Sequence, residues 1–507
     1  MRFRRCGAAA LLVEVDDVLG WYAALIDRAI SGVVEVIPAA ETVLVRFDPS
    51  VVDGAALQSS LSQVTPVPVA GEDADPVTIE VCYDGEDLAE VASETGLSKE
   101  EVVKAHAETD YVVAFGGFAP GFGYLTGLDS RLHLPRRDTP RTRVPAGAVA
   151  IAGEFTGVYP RPSPGGWRLL GHTNATLWDP TRDPPALLRP GARVRFTPVE
   201  SLPAPADPWT IHSGHVTGGV AVRATGPLAT VQDRGRPGYA SLGVGPSGAA
   251  DAESAALANR LVGNAVGAAC LEVTFGGLEL EFREQARVAI TGAPCPITRD
   301  GRGEAMNAPF TVRAGSRLTL ATPTVGLRTY LAIRGGVDAP DTLGSRSTDL
   351  LSGLGPATVK AGDVFPVGTA VTGPPPTVQV APVAPPSGGD LTVRLTPGPR
   401  DDWFTDEAWQ ALLTGDYVVT AESNRIGVRL EGPELTRSRS AELPSEAVVA
   451  GAVQVPISGQ PLIFLADHPV TGGYPVIAVV CAADLPIVAQ ARPGQVLRFR
   501  APATVRR

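Results

Sequence analysis

Apolar positions along the first 63 residues change period several times. Leu11–Val15 is a short apolar run that reads as a strand, and Val18–Ile30 carries Trp21, Leu25 and Ile30 at helical spacing. Val33–Ile37 and Thr42–Phe47 read as strands, and Ala55–Gln63 reads as a second helix. The order β-α-β-β-α predicts a small α+β unit of the split-βαβ kind, completed by a strand at Pro66–Val69 or Val77–Tyr83. Further on, Ser98-Lys99-Glu100-Glu101 has the form of a capping box, which predicts a helix through Val102, Val103 and His106. From Tyr111 to Pro198 short apolar runs alternate with Gly and Pro, as in a β-barrel or sandwich with long loops.

The second half opens with Ala221–Val231 and has one clear helix, Ala249–Val262, where Leu257 and Leu261 share a face and Gly263-Asn264 ends the run. Strand-like runs separated by Gly turns follow as far as Val367, and again from Thr392 to Phe499. Arg223–Val367 and Thr392–Arg500 have similar texture, which predicts two related barrels. Leu202–Gly219 and Gly373–Gly389 are Pro-rich and read as extended linkers. The expected organisation is a small α+β domain over 1–75, a barrel over 76–202, a linker over 203–219, a second barrel over 220–372, a Pro-rich linker over 373–389 and a third barrel over 390–507.

Composition agrees with a mainly β chain: Gly (56) and Pro (47) are abundant and aromatic residues are only 6%. A net charge of −11 without basic blocks argues against nucleic acid and against anionic membranes as partners. Five dispersed cysteines without a C-x-x-C argue for a reducing, cytoplasmic setting and against a disulfide framework or structural zinc. His212 and His215 form an H-x-x-H pair, but in a linker without a carboxylate pair, so no metal site is expected. The apolar stretch Ala8–Val13 runs into Glu14 and Asp16-Asp17, which favours a first strand over a leader, and no run reaches membrane-spanning length. A G-x-S-x-G elbow is absent.

Three regions carry candidate chemistry. The first is the Gly/Pro/aromatic loop Phe118–Tyr124, including Gly121, followed by Arg136, Arg137, Arg141 and Arg143 among prolines. Arginine forks suit carboxylate or phosphate, and proline holds such a loop extended, which predicts a pocket for a small anion. Surface ion pairing accounts for the same arginines equally well. The second is Gln232-Asp233-Arg234, then the glycine-rich Gly245–Asp251 running into a helix, then Asn259. Free helix N–H groups there can receive an anion, or Ser247 or Asp251 can simply cap the helix. The third comprises Asn424, Arg429, Pro444-Ser445-Glu446, Gln454 and Asp467-His468 before Thr471-Gly472-Gly473-Tyr474. Asp467 and Glu446 can serve as a base or orient a cationic group, and Asn424 and Gln454 can equally hold loop backbone.

Phe115–Asp179 resembles the family of 5-oxoprolinase B subunits, also called allophanate hydrolase subunit 1, through GFAPGFGYLTGLD, PRR, PR, VPAGAVAIAG and PGGW. Ala119, Gly123 and Ala148 depart from the usual family residues. Residues 221–502 resemble the family of 5-oxoprolinase C subunits, also called allophanate hydrolase subunit 2, through TVQDRGR, SGAAD, Arg334-Gly335-Gly336-Val337, NRIGVRL, PSE, GAVQVP and TGGYP, with His468 where many relatives have Arg. The resemblance implies cyclophilin-like β-barrels, one in the first half and two in the second. It implies ATP-driven opening of 5-oxoproline, a small anionic amide, together with a separate A subunit. ATP with magnesium would bind in this chain or at the contact with that subunit. The chain's two methionines, Met1 and Met306, leave no biotinyl Met-Lys-Met, so no biotin is expected on it. Implied catalytic residues are Asp467, Glu446 and Asp233. Implied substrate contacts are Phe118, Gly121, Tyr124, Arg136, Arg137, Arg141, Gln232, Asn259, Asn424, Arg429 and Gln454. Two other readings stay open. One is a carboxyltransferase for urea or a related amide working with a biotin carboxylase, and the other is a non-catalytic regulator of a sensor histidine kinase. Homo-oligomerisation also stays open.

Overall fold

A computed structural model describes residues 1–68, 75–203, 218–374 and 376–502. Most of the first linker, including His212 and His215, and Val69 of the expected Pro66–Val69 strand lie outside them.

The N-terminal unit is a four-stranded antiparallel sheet in the order Arg2–Arg5, Ala10–Glu14, Thr42–Phe47, Val33–Pro38. Its fourth strand comes from Arg2–Arg5 and not from the two segments expected. Val77–Val81 instead leaves the unit to pair in parallel with Arg193–Pro198. Alternate residues face opposite sides. Leu11, Val13, Val43 and Val45 pack on the helices Val18–Arg28 and Gly54–Leu61, while Ala10, Leu12, Ile37 and Leu44 pack on the C-terminal barrel. Two covered faces explain the continuous apolar runs Leu11–Val13 and Val43–Val45 in the middle strands.

Residues 77–198 form a seven-stranded sheet, and the capping-box helix Lys99–Ala107 covers part of its core. Numbering its strands 1 to 7 along the chain (starting at Val77, Tyr111, Gly123, Ala148, Phe155, Arg168 and Arg193), the order across the sheet is 6-4-5-3-2-7-1. A Cys82–His172 bridge joins strand 1 to strand 6 and brings the sheet round on itself.

Residues 391–500 form a closed seven-stranded barrel whose strands (starting at Leu391, Tyr417, Gly427, Ala452, Leu462, Val476 and Val496) follow the same 6-4-5-3-2-7-1 order. In both units the first and last strands pair in parallel. The kinship of topology thus links the first and last barrels, not the two segments of similar texture. Residues 220–365, expected as a barrel, form a six-stranded and a five-stranded sheet around one shared core, because both sheets turn their apolar faces inward without closing one hydrogen-bonded ring. The helix Ala252–Val262 covers the five-stranded sheet, capped by Asp251 and ended by left-handed Gly263. Among the described residues no helix is long and apolar enough to cross a membrane. All five cysteines are free thiols.

Candidate functional site

The two halves of the chain meet along one seam, and three of the motif segments meet there. The Gly116–Tyr124 segment lies against Ser241–Gly243 and Thr471: the Gly121 N–H donates to Leu242 O at 3.0 Å. A Cβ on Gly117 would sit 2.3 Å from Thr471 Oγ1, and one on Gly116 would sit 2.4 Å from Ser241 O, so this approach requires glycine. From the other side, the Ala40 N–H donates to Ser445 O at 3.1 Å, and Glu35 Oε1 accepts from the Gly238 and Ala240 N–H groups.

On the first-half side of this seam stands an aromatic wall. Phe115 stacks on Tyr124 at 4.2 Å, and Phe118, Phe122, Tyr159 and Trp167 meet edge-to-face. Phe118 is held at φ +61° and stays 37% exposed. A bulky residue in that region costs roughly 1–3 kcal/mol and marks a constrained loop. Burial raises the Tyr124 phenol, opposed by the Arg136 charge and a hydrogen bond with Ser445. Burial and the Tyr124 neighbour push Tyr159 up to about 12, against the pull of Arg136 and Arg141. Both phenols are therefore neutral donors near pH 7. Arg136 is 52% exposed, and its ion pair with the exposed Glu442 is long, at 3.9 Å.

On the other side of Ser445 a cavity of about 710 Å³ opens between the N-terminal sheet and the C-terminal barrel. Its lining includes Glu446, Arg400, Glu14 and Arg4, which form one chain of alternating charge. Arg400 Nε donates to both Glu446 oxygens at 2.9 and 3.0 Å, and its Nη1 reaches Glu14 at 2.5 Å. Arg4 binds Glu14 at 2.6 Å and Asp402 at 3.1 Å. Burial pushes the Glu446 carboxyl up against the pull of Arg400. Arg2 and Arg439 stand at the cavity, Arg439 over the Trp403 ring at 5.6 Å. Thr42 also lines it, fully buried with an unpartnered Oγ1.

Seven of the candidate residues lie elsewhere or hold structure. Arg137 and Arg141 are both tied to buried Asp87, at 2.8 and 2.7 Å, and Asp87 Oδ2 also accepts the Leu169 N–H. Asp233 accepts from Ser345, Ser347, the Arg346 N–H and the Gly235 N–H, which organises two loops. Asp467 belongs to a buried latch: Arg425 grips it bidentately at 2.9 Å, and it accepts from Ser247 at 2.7 Å and the Leu350 N–H at 3.1 Å. Asn259 bridges Ala268 O and Asn264, and Asn424 closes an Asx turn onto the Ile426 and Gly427 N–H groups. Arg429 is half-exposed beside Glu422.

Two glutamines sit differently. Gln454 supports the Thr471–Tyr474 turn by donating to Tyr474 O at 3.0 Å. Gln232 donates to Thr348 O at 2.9 Å and lines a separate cavity of about 530 Å³ with Asp233 and Asn259.

Three amides around the start of the helix Ala252–Val262 are committed: the Ser254 N–H to Asp251, the Ala250 N–H to Glu272 and the Asp251 N–H to Tyr330. That loop is a capped helix start, with Asp251 as its cap. Sequence reasoning missed Arg4, Glu14, Thr42 and Arg400, whose surroundings carry no local pattern, and passed over Ser445 inside a motif it had noted.

Two barrels of one topology, joined through a smaller α+β unit and a two-sheet unit with motif loops at the seam, define a multi-module β protein. The carboxyltransferase domain family matches in two parts: subdomains C and D over residues 1–188, and subdomains A and B over residues 242–501. The chain belongs to this family. It is 38% identical over 277 residues to the C subunit of 5-oxoprolinase from Escherichia coli K12, covering 54% of this chain and 88% of that protein. It is 58% identical over 114 residues to the B subunit of 5-oxoprolinase from Escherichia coli O157:H7, covering 22% of this chain and 52% of that protein. The second match thus spans about half the length of that B subunit. Among solved structures, TTHA0988 superposes with a TM-score of 0.87 at 37% identity, covering 97% of this chain and 99% of that one.

Proposed function

We propose that this chain supplies, in one polypeptide, the B and C components of an ATP-dependent 5-oxoprolinase, which opens 5-oxo-L-proline to L-glutamate together with a separate A subunit. The observation that carries the reading is that 5-oxoprolinase C and B subunits match 54% and 22% of this chain, while the two parts of the carboxyltransferase family match residues 242–501 and 1–188. Obligate partners joined covalently gain effective concentration, which favours fusion of cooperating subunits over fusion of mutually antagonistic regulators. The repeated seven-stranded topology is taken as cyclophilin-like, and the domain limits near 75, 203–219 and 373–389 as the module boundaries.

The seam suits a small anionic amide. Arg136 holds the carboxylate of the substrate by paired hydrogen bonds. Tyr124 and Tyr159, neutral at working pH, donate to oxygen as charge develops on the lactam carbonyl. Phe118 and Phe122 exclude bulk water. Arg2 and Arg439, the latter over the Trp403 ring and 3.4 Å from Asp402, are assigned to the phosphates of ATP with magnesium, whether held by this chain alone or jointly with the A subunit. When bound, ATP supplies the phosphoryl group that makes an otherwise inert lactam carbonyl reactive.

The test is reconstitution. The chain, a cognate A subunit, ATP, magnesium and 5-oxoproline are expected to yield glutamate, with none when either protein is omitted. Absence of glutamate, combined with turnover of urea in the presence of a biotin carboxylase, would overturn the proposal in favour of carboxyl transfer.

A further inference from the structure

The first barrel closes on itself at a single place, and three metal-ligating side chains gather there. Cys82 and His172 form a hydrogen-bonded antiparallel pair, each N–H donating to the other's carbonyl at 2.9 Å. Paired residues of this kind project to the same face of the sheet. Asp84 follows Cys82 by two residues, and the pairing continues through the Gly85 N–H to Leu170 O at 3.0 Å. Asp84 Oδ1 lies 2.7 Å from His172 Nδ1. A thiol, a carboxylate and an imidazole thus present ligand atoms all within 4.8 Å of one another, the one such group among the described residues. Gly171 permits the closure, because a Cβ there would stand 2.2 Å from Cys82 O. Chain separation hides this group from the sequence: Asp84 and His172 are 88 residues apart.

We infer that Cys82, Asp84 and His172 form a binding site for a borderline divalent transition metal of the zinc class, clipping together the edges of the first barrel. One sulfur, one nitrogen and one oxygen donor match such an ion, whereas calcium and magnesium prefer oxygen throughout. Around a tetrahedral ion, bonds of about 2.0–2.3 Å separate ligand atoms by roughly 3.3–3.7 Å. The Asp84–His172 contact must therefore open by up to about an ångström, which two half-exposed side chains allow. Three protein ligands leave the fourth position to water, and the rigid ladder beneath fixes two of the three backbones in advance. The site stands apart from the seam chemistry and does not depend on it.

Cobalt is the probe. The full chain, stripped with chelator and titrated with cobalt(II), should take up one equivalent at this site and show tetrahedral visible bands with a thiolate charge-transfer band in the near ultraviolet. Zinc should displace it. Cys82→Ser should lose the charge-transfer band, and His172→Gln should weaken binding by about tenfold or more. Zinc should raise the thermal midpoint of the wild-type chain and leave that of Cys82→Ser unmoved. Both variants change partly exposed side chains, so their metal-free circular dichroism and melting should match the wild type. No charge-transfer band in the wild type, or the same band in Cys82→Ser, overturns the assignment: the first means that the thiol does not ligate, the second that the metal sits elsewhere.

Discussion

Replacing Arg425 by Met probes the latch that joins the two units of the second half. Arg425 is 0% exposed and links three chain segments: Glu272 at 2.5 Å, Asp467 through two bonds of 2.9 Å, and Gly248 O at 2.6 Å. Methionine keeps most of the volume and removes the charge. Two buried carboxylates then lose their common partner. Glu272 keeps Tyr330, the Ala250 N–H and Arg328 at 3.4 Å, while Asp467 keeps Ser247 and the Leu350 N–H. Breaking one side of a buried ion pair costs about 3–5 kcal/mol, and these residual bonds place the loss toward the lower end.

The loss should read out as faster amide hydrogen exchange in Cys270–Thr274 and Leu462–Phe464, on either side of the latch, and as a lower urea midpoint. Burial raises the Glu272 carboxyl, but Arg425 and Arg328 outweigh it and hold the group below its usual 4.5. Its folded pKa is depressed, so this contribution is present above the ordinary carboxylate pKa and lost as pH falls through the lower folded value. Without Arg425, burial prevails and pushes that carboxyl up. The deficit of the variant relative to wild type should therefore be largest near pH 8 and shrink toward about pH 5. Adding Asp467→Asn should restore about 1–2 kcal/mol by removing one unpaired charge. A loss below about 1 kcal/mol, or one that is the same at both pH values, would refute the latch reasoning.

Arg136→Ala should leave stability within about 0.5 kcal/mol, because the side chain is half-exposed, yet lower reconstituted 5-oxoproline turnover by about tenfold or more; unchanged turnover removes it from the site. Arg141→Ala should instead lower stability by about 1–3 kcal/mol by depriving Asp87 of one of its partners, as seen by denaturant titration. Gly117→Val should cost about 1–3 kcal/mol and depress turnover together, since its Cβ meets Thr471; full activity would mean that the seam yields freely. Burial raises the Asp87 carboxyl, but Arg141, the Leu169 N–H and Arg137 hold it below its usual 3.8, so its stabilisation is present above that value and lost as pH falls below it. Asp87→Asn should accordingly flatten the acid limb of the stability profile measured by thermal melts.

Local pattern carried the local structure. The capping box at Ser98 starts its helix, Gly263 ends the helix over Ala252–Val262, and the strands and helices between residues 10 and 61 fall close to where apolar period places them, while the strand Arg2–Arg5 was not expected. These features depend on neighbours within a turn or on alternation along one strand, so they are written in consecutive residues. The motif segments Phe118–Tyr124, Pro444–Glu446 and Thr471–Tyr474 were legible too, because glycine, proline and aromatic residues mark loops whatever the fold.

Which of those segments meet was decided by barrel closure. Arg137 and Arg141 stand beside Arg136 in sequence, yet Asp87, some 50 residues earlier, claims them and leaves Arg136 facing the seam. Glu14 and Arg400 lie 386 residues apart and share one ion pair, and Cys82 finds His172 only where the first barrel's edges join. A charged side chain does not specify its partner by spacing along the chain. The partner is fixed when the sheets curl and bring distant strand ends to one place, with low-dielectric surroundings that make the pairing count. The sequence by itself therefore determined the elements and the inventory of chemistry. The tertiary structure decided which of that inventory is bound up in holding the modules together and which remains free to act.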